Sequence, residues 1–192
     1  MSRRPVFWYP GLHYHVTQRG HSGDPIFRDD ADRLEFLALL GTAALRFGWE
    51  VRAYCLMDNH VHLFLGTSGP TLSAGMRWLT GNYAIRFNRR RHRVGSPYQG
   101  RYHAFTVESE RHFYEVTRYV VLNPVRARIV SRPEDWPWSS HRAVLGLIPA
   151  PKWLAVERSL EDFEGLTDRY REYVEAGMNF PTMNWRGVGR RC

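Results

Sequence analysis

A chain of 192 residues with 43% apolar side chains is long enough for one domain and its core, with a modest appendage. No apolar run approaches the ~18–20 residues that cross a bilayer, which excludes a spanning helix and sets membranes aside as partners. Two cysteines, Cys55 in an apolar run and Cys192 as the last residue, exclude a disulfide framework and suit a reducing, cytoplasmic setting, while a net charge of +8 points to a polyanionic partner.

Residues 1–11 are basic, aromatic and broken by proline, an arm rather than an export signal, since no long apolar segment follows Arg3-Arg4. Tyr14 to Gln18 alternates in polarity and predicts a first strand, stopped by Gly20. Asp29 or Asp30 caps a helix expected to run to Phe47 with Leu34, Leu37, Leu40, Ala44 and Leu45 inward; Gly48 ends it. Trp49 to Met57 reads as a second strand and Asp58-Asn59 as a tight turn.

His60 to Leu65 returns as a third strand. Successive side chains of a strand point to opposite faces, so His60 and His62 share one face and Val61, Leu63 and Leu65 the other. Two imidazoles about 7 Å apart along a strand can converge on one metal ion.

Leu72 to Arg90 predicts a second helix with Met76, Leu79, Tyr83 and Phe87 toward the sheet. Here the charge is concentrated: residues 59–107 hold Arg77, Arg86, Arg89, Arg90, Arg91, Arg93 and Arg101 and no Asp or Glu. Dipole compensation at a helix end needs one or two cations, not this many. A carboxylate-free arginine block is the footprint expected of a phosphate-binding surface, so these seven are taken as the DNA-binding residues.

Gln99 to Val107 predicts a fourth strand. A third helix is expected from Ser109 to Asn123, ended by Pro124, with Phe113, Val116, Thr117 and Val120 packed and Tyr119 and Asn123 stacked at i and i+4 beside them. The order β-α-β-β-α-β-α implies an α+β, ferredoxin-like split βαβ sandwich: an antiparallel sheet with helices on one face, plus a C-terminal helical extension. Domain limits follow at 1–128 for the main domain and 129–192 for an extension packing back on it. Within the extension, Pro133, Trp136, Pro137 and Trp138 mark a strap, Leu160 to Ala176 reads as a last helix with Phe163, Leu166, Tyr170 and Tyr173 inward, and 178–192 as a loose tail.

His60-Val61-His62, then Tyr119-Val120-Val121-Leu122-Asn123-Pro124-Val125-Arg126-Ala127, then Trp136-Pro137-Trp138-Ser139-Ser140 resemble, in order and spacing, the REP-associated tyrosine transposases, single-tyrosine HUH endonucleases related to insertion-sequence transposases. Tyr14-His15-Val16-Thr17-Gln18-Arg19-Gly20 and Gly100-Arg101-Tyr102 look like that family too. Asp58 departs from it, standing where relatives commonly have proline. The resemblance implies that His60 and His62 bind a divalent ion, Mg²⁺ or Mn²⁺, with Asn123 as third ligand. It implies that Tyr119 is the catalytic nucleophile, leaving a 5′-phosphotyrosine and a free 3′-OH, with single-stranded and hairpin repeat DNA as partner and a monomer or homodimer as the working unit. The main rival is a non-catalytic, domesticated hairpin-binding protein; a metal hydrolase of small phosphoesters is a second.

Overall fold

The computed structural model describes residues 8–179. Residues 1–7 of the expected arm and 180–192 of the expected tail lie outside the described residues.

Strand alternation sets the layers. β1 (His13–Arg19), β2 (Trp49–Met57), β3 (His60–Thr67) and β4 (His103–Val107) form an antiparallel sheet in the order β2-β3-β1-β4. One face buries Tyr14, Val16, Leu56, Val61, Leu63 and Leu65. It is covered by α1 (Asp30–Phe47) and α2 (Leu72–Arg91), which bring Phe36, Leu40, Met76, Leu79, Tyr83 and Phe87. The opposite face holds Ala53, Cys55, Met57, Phe64 and Val107, with His15 and His62 among them by register. α3 (Glu110–Arg126) covers this second face through Val116 and Val120.

The sheet and its two crossover helices are the expected split βαβ arrangement. α3 adds a layer that helices on one face alone do not include. The reason is in the strands: the residues flanking the histidines on their own face are apolar, so that face also needs cover.

Several boundaries differ from sequence expectation. In α1 the inner face is Phe36, Leu39, Leu40, Ala43 and Ala44, while Leu34 and Leu45 are 60% and 80% exposed. Two leucines that fit the apolar count are out of phase with the 3.6-residue repeat of their neighbours. Residues 99–102 are loop, because Gly100 interrupts and the Gln99 amide is spent on the Arg19 carbonyl at 3.1 Å. α3 continues through Pro124 to Arg126. Proline lacks the N–H that would reach the Val120 carbonyl, and the Asn123 side chain substitutes for it, donating to the carbonyls of Tyr119 at 2.8 Å and Val120 at 3.4 Å. After a short α4 (His141–Val144), the last expected helix is two, α5 (Val156–Leu160) and α6 (Thr167–Ala176), separated where Glu164 and Gly165 take positive φ. Phe163 and Tyr170 are buried, but Leu166 precedes the first turn of α6 and is 49% exposed.

The extension packs back on the domain at several places. Residues 138–140 lie along the outer edge of β2: Leu56 N–H donates to Trp138 O at 2.8 Å, Ser140 N–H to Tyr54 O at 3.0 Å, and Tyr54 N–H to Ser140 Oγ at 3.1 Å. An exposed strand edge is thereby closed. Farther on, Leu160, Phe163, Tyr170 and Val174 pack with Val121 and Leu122, so α3 is held between the sheet and the C-terminal helices.

The turn before β3 is tied down from three sides. The Asp58 carbonyl accepts from Ile26 and Phe27 N–H at 2.9 and 3.0 Å. Its carboxylate pairs with Arg33, a buried side chain whose guanidinium lies over Trp136 and Trp138 at 5.6 and 5.4 Å. The departure from proline at Asp58 thus comes with a partner. Replacing Asp58 with Ala removes the closest anion from a buried arginine, and is expected to lower unfolding stability by about 1–3 kcal/mol in urea titration.

Candidate active site and nucleic-acid interface

The β1–β3 register places Thr17 opposite His62 and Arg19 opposite His60. His15, two residues from Thr17, is therefore the diagonal neighbour of His62 on the same face. The two rings stack, with centroids 5.2 Å apart and planes 12° from parallel, and His15 Nε2 lies 3.0 Å from His62 Nδ1. His60 meets His62 edge-on at 4.9 Å. Tyr119 descends from α3 onto this group, its ring 5.5 Å from both His15 and His62 and nearly perpendicular to each. Residues remote in sequence thus meet on one sheet face.

Burial decides the charge state. Desolvation holds the His15 imidazole down to about 4, and burial, aided by Arg19, holds His60 near the same value. His62 is pushed well below its usual range by burial first, then by His15, His60 and Arg19. Burial also raises the Tyr119 phenol, against the opposing pull of Arg126 and Arg19.

The tautomer of His60 follows from its partner. Asn59 Oδ1, 2.6 Å from His60 Nδ1, can only accept, so His60 carries its proton on Nδ1. His62 uses Nδ1 toward His15, and its Nε2 is buried with no hydrogen-bond partner. A neutral imidazole whose other nitrogen is engaged is the form that binds a cation. Among the described residues no three His, Cys, Asp or Glu side chains converge as a ready-made cage. The expected set contains only two of those types, since its third member is an amide. Asn123 stands one turn beyond Tyr119, its amide nitrogen turned back on the helix. The orphaned Nε2 of His62 and the Asn59-fixed His60 fit a cation; the amide oxygen of Asn123 is the remaining donor.

The arginine block divides in space. Arg90 and Arg91 reach Asp32 at 2.9 and 2.7 Å, Arg86 pairs with Glu35, Arg91 also with Asp29, and Arg93 lies 4.0 Å from Asp24. These acids belong to α1 and the loop before it, so four of the seven cations are engaged as a clamp between α1 and α2. Arg77, Arg89 and Arg101 are exposed and make no ion pair among the described residues. The loop carrying Arg101 is tied to the site end of β1, where Gln18 Nε2 donates to Gly100 O at 2.9 Å.

Three residues at the site carry no local signal. A single sequence gives no register, so nothing in β1 alone brings His15 to His62. Asn59 reads as a turn residue and Arg126 as part of a helix end. Only the co-occurrence of their segments in one resemblance hints at a common place.

The family described as "Transposase IS200 like" matches residues 9–123, which span β1, both histidines, Tyr119 and Asn123, and the chain belongs to that family. Its fold is similar to that of a REP-associated tyrosine transposase solved bound to a REP hairpin, with TM-score 0.58 and 19% identity over 78% of this chain and 89% of that one. A putative transposase from Deinococcus radiodurans R1 is similar at 20% identity over 71% of this chain and 98% of that chain, with TM-score 0.41. No curated protein matches. Among the described residues no helix is long and apolar enough to cross a membrane.

The buried imidazoles make the fold acid-sensitive. Unfolded rings protonate near 6.5 whereas folded His15 and His60 do so near 4, so the unfolded chain takes up protons first. Their contribution is complete above about 6.5 and is lost as pH falls toward about 4, below which it levels off. Imidazole ¹⁵N NMR in chelator should show both rings neutral at pH ~5.5 and His60 protonated on Nδ1; a protonated His15 at that pH would contradict its burial.

Proposed function

We propose that this chain nicks and rejoins single-stranded DNA beside hairpin elements, with Tyr119 as nucleophile. The observation that carries the reading is the Tyr119 ring set perpendicular to the buried His15 and His62 rings at 5.5 Å. The phenol oxygen attacks the phosphorus, a new P–O bond forms, and the bond to the 3′ oxygen breaks, leaving a free 3′-OH and a 5′-phosphotyrosine. Attack by a 3′-OH reverses the step, so the linkage energy is kept and no nucleotide is consumed.

His60, His62 and Asn123 would hold a divalent ion, Mg²⁺ or Mn²⁺, which supplies Lewis-acid polarisation of the scissile phosphate when bound. Neutral imidazoles and an amide leave the site without negative charge of its own, which suits a polyanionic substrate. Hairpin DNA is taken as the substrate because the solved structural relative binds a REP hairpin. α3, packed on both sides, keeps the phenol aimed at the histidine face. Arg77, Arg89 and Arg101 are the cations of the block left to meet the DNA backbone.

Hairpin oligonucleotides with single-stranded flanks, labelled at either end and incubated with Mn²⁺, are expected to yield a protein-linked 3′ fragment on a denaturing gel. Intact but shifted DNA would support the binding module instead. Turnover of a small phosphate ester without DNA preference would support the hydrolase. Tyr119→Phe should keep hairpin affinity within about twofold and lose the adduct, because the phenol is spent in the chemical step alone. An adduct that persists would move the nucleophile to Tyr114. His62→Ala should abolish metal-dependent cleavage, and equal cleavage in chelator would remove the metal from the scheme.

A further inference from the structure

Beside Tyr119 stands a cation that makes no ion pair among the described residues. Arg126 follows Tyr119 at i+7, close to two turns along the same side of α3. Its Cζ lies 5.2 Å from the Tyr119 ring centroid. The side chain is half-buried, and Nη1 is buried with no hydrogen-bond partner. The nearby carboxylate, Glu115, is taken by Arg118 at 2.7 Å. Arg126 makes no ion pair among the described residues, and burial weakens its hold on its proton. A guanidinium partly stripped of water and left unpaired is unfavourable until an anion arrives.

A second cation faces it from the sheet. Arg19 is exposed at the end of β1, opposite His60 in register and on the same face as His62. Its charge reaches His60, His62 and Tyr119, and it makes no ion pair among the described residues. The phenol is therefore bracketed by two arginines from different layers, one on a helix and one on a strand. Among the described residues no carboxylate forms an ion pair with either, Glu115 being paired with Arg118.

We infer that Arg126, with Arg19 at its rim, forms an anion site that grips one phosphate of single-stranded DNA at the Tyr119 ring. The planar fork of a guanidinium matches two phosphate oxygens, a geometry an ammonium cannot reproduce. Placing that phosphate at the phenol rests on the strand-transfer reading; the anion site itself does not.

The test is a salt titration, which needs no cleavage. In a Tyr119→Phe background the aromatic platform under Arg126 remains. Affinity for a pool of hairpin oligonucleotides with randomised single-stranded flanks is followed by fluorescence anisotropy across a range of salt. Arg126→Gln is expected to lower the slope of log K against log salt by about 0.7, the value for one single-strand phosphate. Arg126→Lys should restore the slope but not the full affinity. A change that only disturbed packing would leave the slope where it was, so an unchanged slope overturns the inference. If Arg126→Gln fails to fold by thermal melting, Arg19→Gln at its exposed position is read the same way, and an unchanged slope there overturns it too. In the otherwise native chain, Arg126→Gln should also slow adduct formation about 100-fold, as loss of one charge-stabilising donor does. An equal rate would overturn the site. If the native chain forms no adduct while the slope still falls, strand transfer fails and the anion site stands.

Discussion

The pairing of β1 with β3 is the constraint from which the rest follows. It is an ordinary antiparallel ladder, yet its register alone stacks His15 on His62 and sets Arg19 across from His60. A slip of one residue would send all of these side chains to the other face, into the α1–α2 core. The hydrophobic face of the two strands therefore fixes the constellation on the reverse side, since Val16, Leu63 and Leu65 cannot leave the α1–α2 side without losing that core. α3 then has one way to seal the histidine face, and sealing it brings Tyr119 to the rings.

Burial of His15 and His62 against each other, with the half-buried His60 beside them, is costly. An unpartnered Nε2 on His62 forfeits roughly 1–3 kcal/mol relative to a hydrogen-bonded one. The fold tolerates this because the surrounding apolar packing is extensive on both faces of the sheet. The same tolerance explains the half-buried guanidinium of Arg126. Both groups lie beside the same phenol, the His62 ring 5.5 Å and the Arg126 Cζ 5.2 Å from the Tyr119 ring.

Much of this was legible in the residues. The pair His60 and His62 needs only the period of a strand to share a face, and Tyr119 and Asn123 only the period of a helix to share a side. The split βαβ order followed from strand and helix periods taken together. What sequence could not supply was whatever depends on pairing between distant segments. The stacking of His15 depends on register. The cover of the second sheet face by α3 depends on which side the chain turns after β4. Helix continuation through Pro124 depends on a side-chain amide filling in for a missing backbone donor. The arginine block was the most instructive case: the stretch has no acids of its own, but Asp24, Asp29, Asp32 and Glu35 come to it through space.

That clamp bears on how a polyanion would approach. An ion pair presents a dipole at a distance, and its field fades within a Debye length where that of a lone cation persists. On the α1–α2 side the charge is largely cancelled at source. Around the end of β1 it is not: Arg19 makes no ion pair among the described residues, and the Gly100 loop that leads to Arg101 is fastened beside it. Among the described residues the cations without an ion pair therefore stand apart from the clamp, Arg19 and Arg101 by the end of β1 and Arg77 and Arg89 on α2, a division that the net charge of +8 conceals.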